Sequence, residues 1–311
     1  MLILATSCYE DYIQDYDHNV VYFSKQTDVR TFVVGEGMQI KVGVVLGGVR
    51  KNTVDRIVSY TMDQSLLNEE TLEAMKGGLS YISENVASVS SLQMLPSSYY
   101  TISDDSKMII TPGEHMGTVT IKADSAKFLS DPLTLMANYA LPFKIVKADA
   151  DSVLQNMDYT VVGLRYENML FGNYWHGGKT VIKDASGNTV QTVNYFTEIP
   201  SPESNIMTLK TIAPFSLKTN KIGNKSGSFV ITLDNDRIRI SSAEGSSIEV
   251  LPDGESMFNR AKLLQDRKLF LNYKYDNGDG TTAYCTDTLT FRNRIRDGVN
   301  EWQDEHPENY N

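Results

Sequence analysis

Apolar and polar positions alternate with a period of two along most of the chain, the pattern of strands that bury one face. Val20-Val21-Tyr22-Phe23 opens the series, Val29 to Val34 follows, and Met38 to Leu46 alternates through Ile40, Val42 and Val44. Gly35-Glu36-Gly37 and Gly47-Gly48 divide these runs, because glycine takes positive φ without steric cost. A strand over Thr53 to Met62 comes next, then one helix over Asn68 to Lys76. Asn68 caps it, Glu69 and Glu70 complement its dipole, and Gly77-Gly78 ends it. So short a helix reads as a decoration on a β scaffold. Strands within 95–102, 108–114, 117–122 and 139–146, punctuated by Gly and Pro, complete an antiparallel sandwich of about 120 residues.

The small, polar segment from Lys147 to Ser152 suits a domain edge. A second strand series begins at Tyr159 to Val162 and continues through Thr180 to Lys183, the turn Ser186-Gly187-Asn188, and Thr189 to Phe196. It resumes at Thr208, Ser228, Arg237, Ile248, Lys268 and Thr281, with no helical period between. Consecutive strands joined by tight polar turns favour an up-and-down meander that curls into a barrel, since closure removes exposed edges. A second sandwich is the alternative. The fold class expected is all-β, a sandwich followed by an antiparallel barrel, and 311 residues suit two such domains.

The order of LPSSYYTI (95–102), IITPGEHMGTVTI (109–121) and YALPFKIVKADAD (139–151) resembles the Bacteroidetes domain of unknown function numbered 1735. That resemblance spans 20–149. It implies an immunoglobulin-like sandwich at the front of surface lipoproteins and of some family 18 endoglycosidases, and brings no catalytic residues with it. The rear half, 150–311, resembles the lipocalin-like or calycin-like companions of that module through GNYWHGGKTV (172–181) and LTFRNRIRDGVNEW (289–302).

Cys8 follows a short apolar run and small residues, Met1-Leu2-Ile3-Leu4-Ala5-Thr6-Ser7, which resembles the end of a lipoprotein signal peptide with Cys8 as the lipid attachment site. No basic residues precede the run, which is compatible with an internal start of a longer precursor. The acidic stretch from Tyr9 to Asp17 resembles the export signal that sends Bacteroidetes lipoproteins to the outer face of the outer membrane, so 1–19 reads as signal remnant and tether. The expected location is the outer membrane, lipid-anchored and exposed at the cell surface. No apolar run approaches the roughly 18 residues that cross a bilayer. With Cys8 acylated, Cys285 has no disulfide partner and is expected within a strand.

A net charge of −10 argues against nucleic acid, whose binding needs clustered Lys and Arg. The four histidines are scattered, and no zinc, phosphate-loop or nucleophile-elbow spacing is present, so neither enzyme activity nor a cofactor is expected. Asp276-Asn277-Gly278-Asp279-Gly280 alternates oxygen donors with glycine but lacks a later bidentate acid, and reads as a hairpin turn rather than a calcium loop. Asp234-Asn235-Asp236 reads as a turn as well.

Seventeen tyrosines and two tryptophans leave aromatic recognition as the candidate chemistry, because sugar rings offer apolar C–H faces to stack on while polar side chains bond their hydroxyls. Tyr174, Trp175 and His176 form the candidate centre, with Tyr195, Tyr273, Tyr275 and Tyr284 as neighbours; the competing reading makes Trp175 a core plug. The function expected is therefore a non-catalytic surface lipoprotein that binds a polysaccharide or oligosaccharide or assists its uptake, beside SusD-like and transporter partners. The alternatives are a structural or adhesion protein and a lipocalin-like carrier of an apolar ligand. Exposed aromatics beside polar groups, a broad patch without a pocket and a closed apolar cavity would distinguish the three.

Overall fold

The computed structural model describes residues 16–195 and 205–301. Cys8, most of the acidic stretch and Trp302 lie outside the described residues. None of the described helices is long and apolar enough to cross a membrane.

The front module is a two-sheet sandwich built from β1 (Val20–Tyr22), β2 (Thr27–Val34), β3 (Gln39–Gly47), β4 (Arg56–Met62), β5 (Gln93–Met94), β6 (Tyr100–Ile102), β7 (Lys107–Ile110), β8 (Met116–Ala123), β9 (Tyr139–Ala148), β10 (Ser152–Val153) and β11 (Tyr159–Asn168). One sheet runs β10-β1-β3-β8-β6; the other runs β2-β11-β9-β4-β7, with β5 beside β9. The alternation in β3 does what its pattern dictates: Ile40, Val42, Val44 and Leu46 enter the core between the sheets, against Phe32, Phe143 and Leu164.

Three short helices accompany the sandwich: α1 (Glu69–Lys76), α2 (Ser80–Val86) and α3 (Ser125–Ser130). The Asn68 side chain accepts from the Thr71 N–H and Gly77 caps the C-terminus of α1, as the sequence predicts. The helix is more than a decoration, however. Leu72 and Met75 of α1 and Ile82 and Val86 of α2 form a second core against Val29, Ala140 and Val161, so the sheet containing β2 and β11 is covered on both faces. That coverage moves the domain boundary. The strand expected to open the rear module, β11, instead lies between β2 and β9, parallel to β2 from Val161 to Asn168 and antiparallel to β9. The front module thus runs to Asn168 rather than Asp149. Burial on both faces also explains the near-continuous apolar run from Val161 to Leu164.

The rear module comprises β12 (Gly172–Lys183), β13 (Thr189–Tyr195), β14 (Ile206–Ala213), β15 (Ser216–Thr219), β16 (Lys221–Ile222), β17 (Lys225–Ser226), β18 (Phe229–Asp234), β19 (Arg237–Ser242), β20 (Val250–Pro252), β21 (Ser256–Phe258), β22 (Lys268–Asp276), β23 (Thr282–Arg296) and β24 (Val299–Glu301). Antiparallel pairing follows the ring β12-β14-β15-β18-β19-β21-β22-β23 and returns to β12 through an eleven-pair register with β23. The sheet is closed, so the barrel rather than the second sandwich is the architecture. Leu209, Leu217, Phe229, Ile231, Leu269, Leu271 and Leu289 fill its interior, and the β16–β17 hairpin adds the buried Ile222.

Both turn readings hold. The β22–β23 hairpin closes with Asn277 N–H donating to the Thr281 carbonyl, while the Asp276 and Asp279 carboxylates accept from loop N–H groups at Gly278 and Thr281. Asn235, at φ 60°, makes the turn between β18 and β19.

Candidate functional site

Inside the barrel, β23 alternates Ala283, Cys285, Asp287, Leu289 and Phe291 toward the interior. A carboxylate therefore lies on an apolar phase, and Asp287 is almost fully buried. Such a charge is tolerated only where donors surround it. Tyr273 Oη donates to it at 2.6 Å and Tyr195 Oη donates in a second short contact. His176 Nε2 lies 2.9 Å away, close but not aligned for a hydrogen bond. The Tyr273 hydroxyl in turn accepts from the Gly223 N–H at 2.6 Å, and Thr180 Oγ1 lies 3.1 Å from Tyr195 Oη and 3.4 Å from Cys285 Sγ.

Gly178 makes this arrangement possible. It sits at φ +132° opposite both Asp287 and Tyr195, and a Cβ there would fall 2.1 Å from the Thr286 carbonyl oxygen. Gly178 of the 172–181 motif is a packing requirement.

The interior cluster is poor acid–base machinery. Burial, then the Asp287 charge, pushes the Cys285 thiol up to about 12, so the thiolate that would act as a nucleophile is disfavoured near neutrality. Burial and Asp287 likewise raise Tyr195 and Tyr273 well above the ordinary tyrosine range, which keeps both as neutral donors.

Six of the seven aromatic and histidine candidates are thus interior or shielded. Tyr174 is fully buried, donates to the Leu170 carbonyl at 3.0 Å and packs edge-on against Phe291. Trp175, on the opposite phase of β12, is 8% exposed beneath the Arg292 guanidinium, 5.0 Å from the ring centre. His176, Tyr195 and Tyr273 surround Asp287, and Tyr275 is buried in the same core. Trp175 is therefore shielded by Arg292 on the outer phase and is not part of the apolar barrel core. Tyr284 differs. It lies half-buried on the outer phase of β23, between Lys183 Nζ at 4.7 Å and Lys274 Nζ at 5.7 Å from its ring centre. The strand register continues this face through Thr286 beside Asn272 and Thr288 beside the exposed Phe270.

A second charged cluster joins the modules. The turn after β2 presents Glu36 between Gly35 and Gly37, both at positive φ, and its carboxylate meets Arg267 at 3.1 Å, Arg294 at 3.1 Å and Arg296 at 3.3 Å. Arg267 and Arg294 also donate to the Met169 carbonyl, and Glu301 pairs with Arg294 and Arg296. Burial alone would raise the Glu36 carboxyl, but the guanidinium groups of Arg294, Arg267 and Arg296 outweigh it and hold it at about 2. Nearby, Asp297 at the β23–β24 turn accepts from Arg30 and Thr31 of β2.

Comparison with known proteins extends the architectural reading. A family model described as a “-like, N-terminal domain” matches residues 16–152. No curated protein matches the chain. A Bacteroides ovatus protein of unknown function, known from its crystal structure, is 18% identical with a TM-score of 0.62, covering 94% of this chain and 99% of that one. This likeness shows a shared fold across both modules. A multidomain Bacteroides ovatus protein including the domain numbered 1735 is 12% identical with a TM-score of 0.44, covering 91% and 99%.

Proposed function

We propose that the chain is a non-catalytic glycan-binding lipoprotein, anchored through Cys8 at the outer-membrane surface, with the Tyr284 face of the barrel toward the glycan. The observation that carries this reading is the placement of Tyr284: a half-buried aromatic ring on the outer face flanked by lysines, threonines and an amide, the combination that stacks on a sugar and bonds its hydroxyls. A half-buried Lys-over-ring contact is worth about 1–2 kcal/mol, which is the cost a sugar meets in displacing Lys183. The carrier alternative has less support, because core side chains fill the barrel interior. SusD-like and transporter partners remain part of the proposal.

The test is retention of the purified chain on an array of plant, host and microbial glycans, with product release recorded in parallel. Tyr284→Ala should weaken retention at least tenfold with an unchanged melting temperature, whereas Trp175→Ala should lower stability by about 3–5 kcal/mol. Unchanged retention by Tyr284→Ala would refute the assigned face. Released product would overturn the non-catalytic reading, and silence on every glycan would favour a protein-interaction role.

A further inference from the structure

The front module carries a cleft of about 280 Å³ on the side where the two sheets leave strand edges open. The first strand is the cause. Among the described strands, β1 covers β3 only from Val45 to Gly47, leaving Gln39 to Val44 without a partner on that edge, and β2 pairs only with β11. Unpaired edges offer backbone donors and acceptors to a ligand. Val45, Met116 and Val162 supply apolar wall, and Thr118 and Thr160 supply hydroxyls. Thr160 is 4% exposed.

Charge decides the ligand class. Lys25, Arg30 and Lys41 line the cleft with one carboxylate, Asp28. Lys25 pairs with Asp28 at 3.4 Å and Arg30 with Asp297, just behind it, at 3.1 Å. Lys41 is therefore the surplus cation, with no carboxylate partner among the described residues, in a chain whose net charge is −10.

We infer that this cleft binds a sugar acid of single-ring size, with Lys41 receiving the carboxylate, Thr118 and Thr160 the hydroxyls, and the apolar wall the ring. This surface is separate from the Tyr284 face, and the inference stands whether or not that face holds a glycan.

The experiment titrates the full chain with galacturonic acid, galactose and inorganic phosphate, by calorimetry and by methyl NMR of Val42, Val45 and Met116. Galacturonate should bind, weaken as salt is raised, and perturb those methyl groups, while galactose binds at least tenfold more weakly. Lys41→Ala should weaken galacturonate at least tenfold, Lys41→Arg should retain it, and Tyr284→Ala should leave it unchanged. Because Lys41 is exposed, both substitutions should melt with the parent. No galacturonate binding, equal binding of galactose, undiminished binding by Lys41→Ala, or phosphate binding as tightly as the sugar acid would each overturn the inference.

Discussion

Glu36→Gln removes a carboxylate that meets three arginines of the other module, keeping its size but replacing one acceptor oxygen with an amide donor. Arg267 has no exposed side-chain surface and also donates to the Met169 and Ala261 carbonyls, so the substitution takes a carboxylate from a fully buried charge. Arg294 retains Glu301 and suffers less. Breaking a buried pair by removing one partner costs about 3–5 kcal/mol. The depressed Glu36 carboxyl points the same way: a fall from the ordinary 4.5 to about 2 corresponds to about 3 kcal/mol of stabilisation. Its sign is that of a depressed acid, present in full above pH 4.5 and lost as pH falls toward 2. Denaturant titration at pH 7 should therefore place Glu36→Gln about 3 kcal/mol below the parent, and calorimetry should lower the melting temperature by roughly 10 °C. At pH 2 the two proteins should converge. A difference under about 0.5 kcal/mol at pH 7, or one that persists unchanged at pH 2, would refute the assignment of Glu36 as the electrostatic centre of the joint.

Two further outcomes follow from the barrel interior. Asp287→Ala strands the donors of Tyr195 and Tyr273 and should cost more than 3 kcal/mol, whereas Asp287→Asn keeps an acceptor and should cost about 1–3 kcal/mol, compared by urea denaturation. Cys285, 2% exposed and with its thiol pushed up to about 12, should resist a thiol reagent at pH 8 in the native protein and react at once in denaturant; rapid native labelling would contradict the closed barrel.

The elements visible in the sequence were those set by local chemistry. The Asn68 cap, the glycine turns and the alternation in β3 need no distant partner to be read. The misplaced aromatics were also readable, through phase: Tyr273 and Tyr275 share the inward phase of Leu269 and Leu271, while Tyr284 falls between the inward Ala283 and Cys285. Asp287 on that inward phase was the overlooked sign of a buried polar centre. In β11 the lack of alternation marked a strand covered on two faces, which a barrel strand open to water would not show. No comparable signal announced Glu36. Its turn reads as an ordinary Gly-x-Gly loop, and its partners, more than 230 positions away, are brought to it only by the docking of two complete domains.

That docking bears on how two binding surfaces would work together. The connection from Asn168 to Gly172 is short, and Asn168 is itself held by Thr211 and Pro214 of the barrel. With the Glu36 cluster on one side of the joint and Asp297 bonded to Arg30 of β2 at another, reorienting the modules would require exposing or unpairing several buried charges, a cost of several kcal/mol. Linked sites gain effective concentration only when their geometry permits simultaneous engagement, and a rigid joint makes that condition stringent. A polymer whose spacing matches the Lys41 cleft and the Tyr284 face would gain avidity with little ordering cost, while a mismatched one would engage a single surface. The Glu36 network would then act on selectivity without touching a sugar.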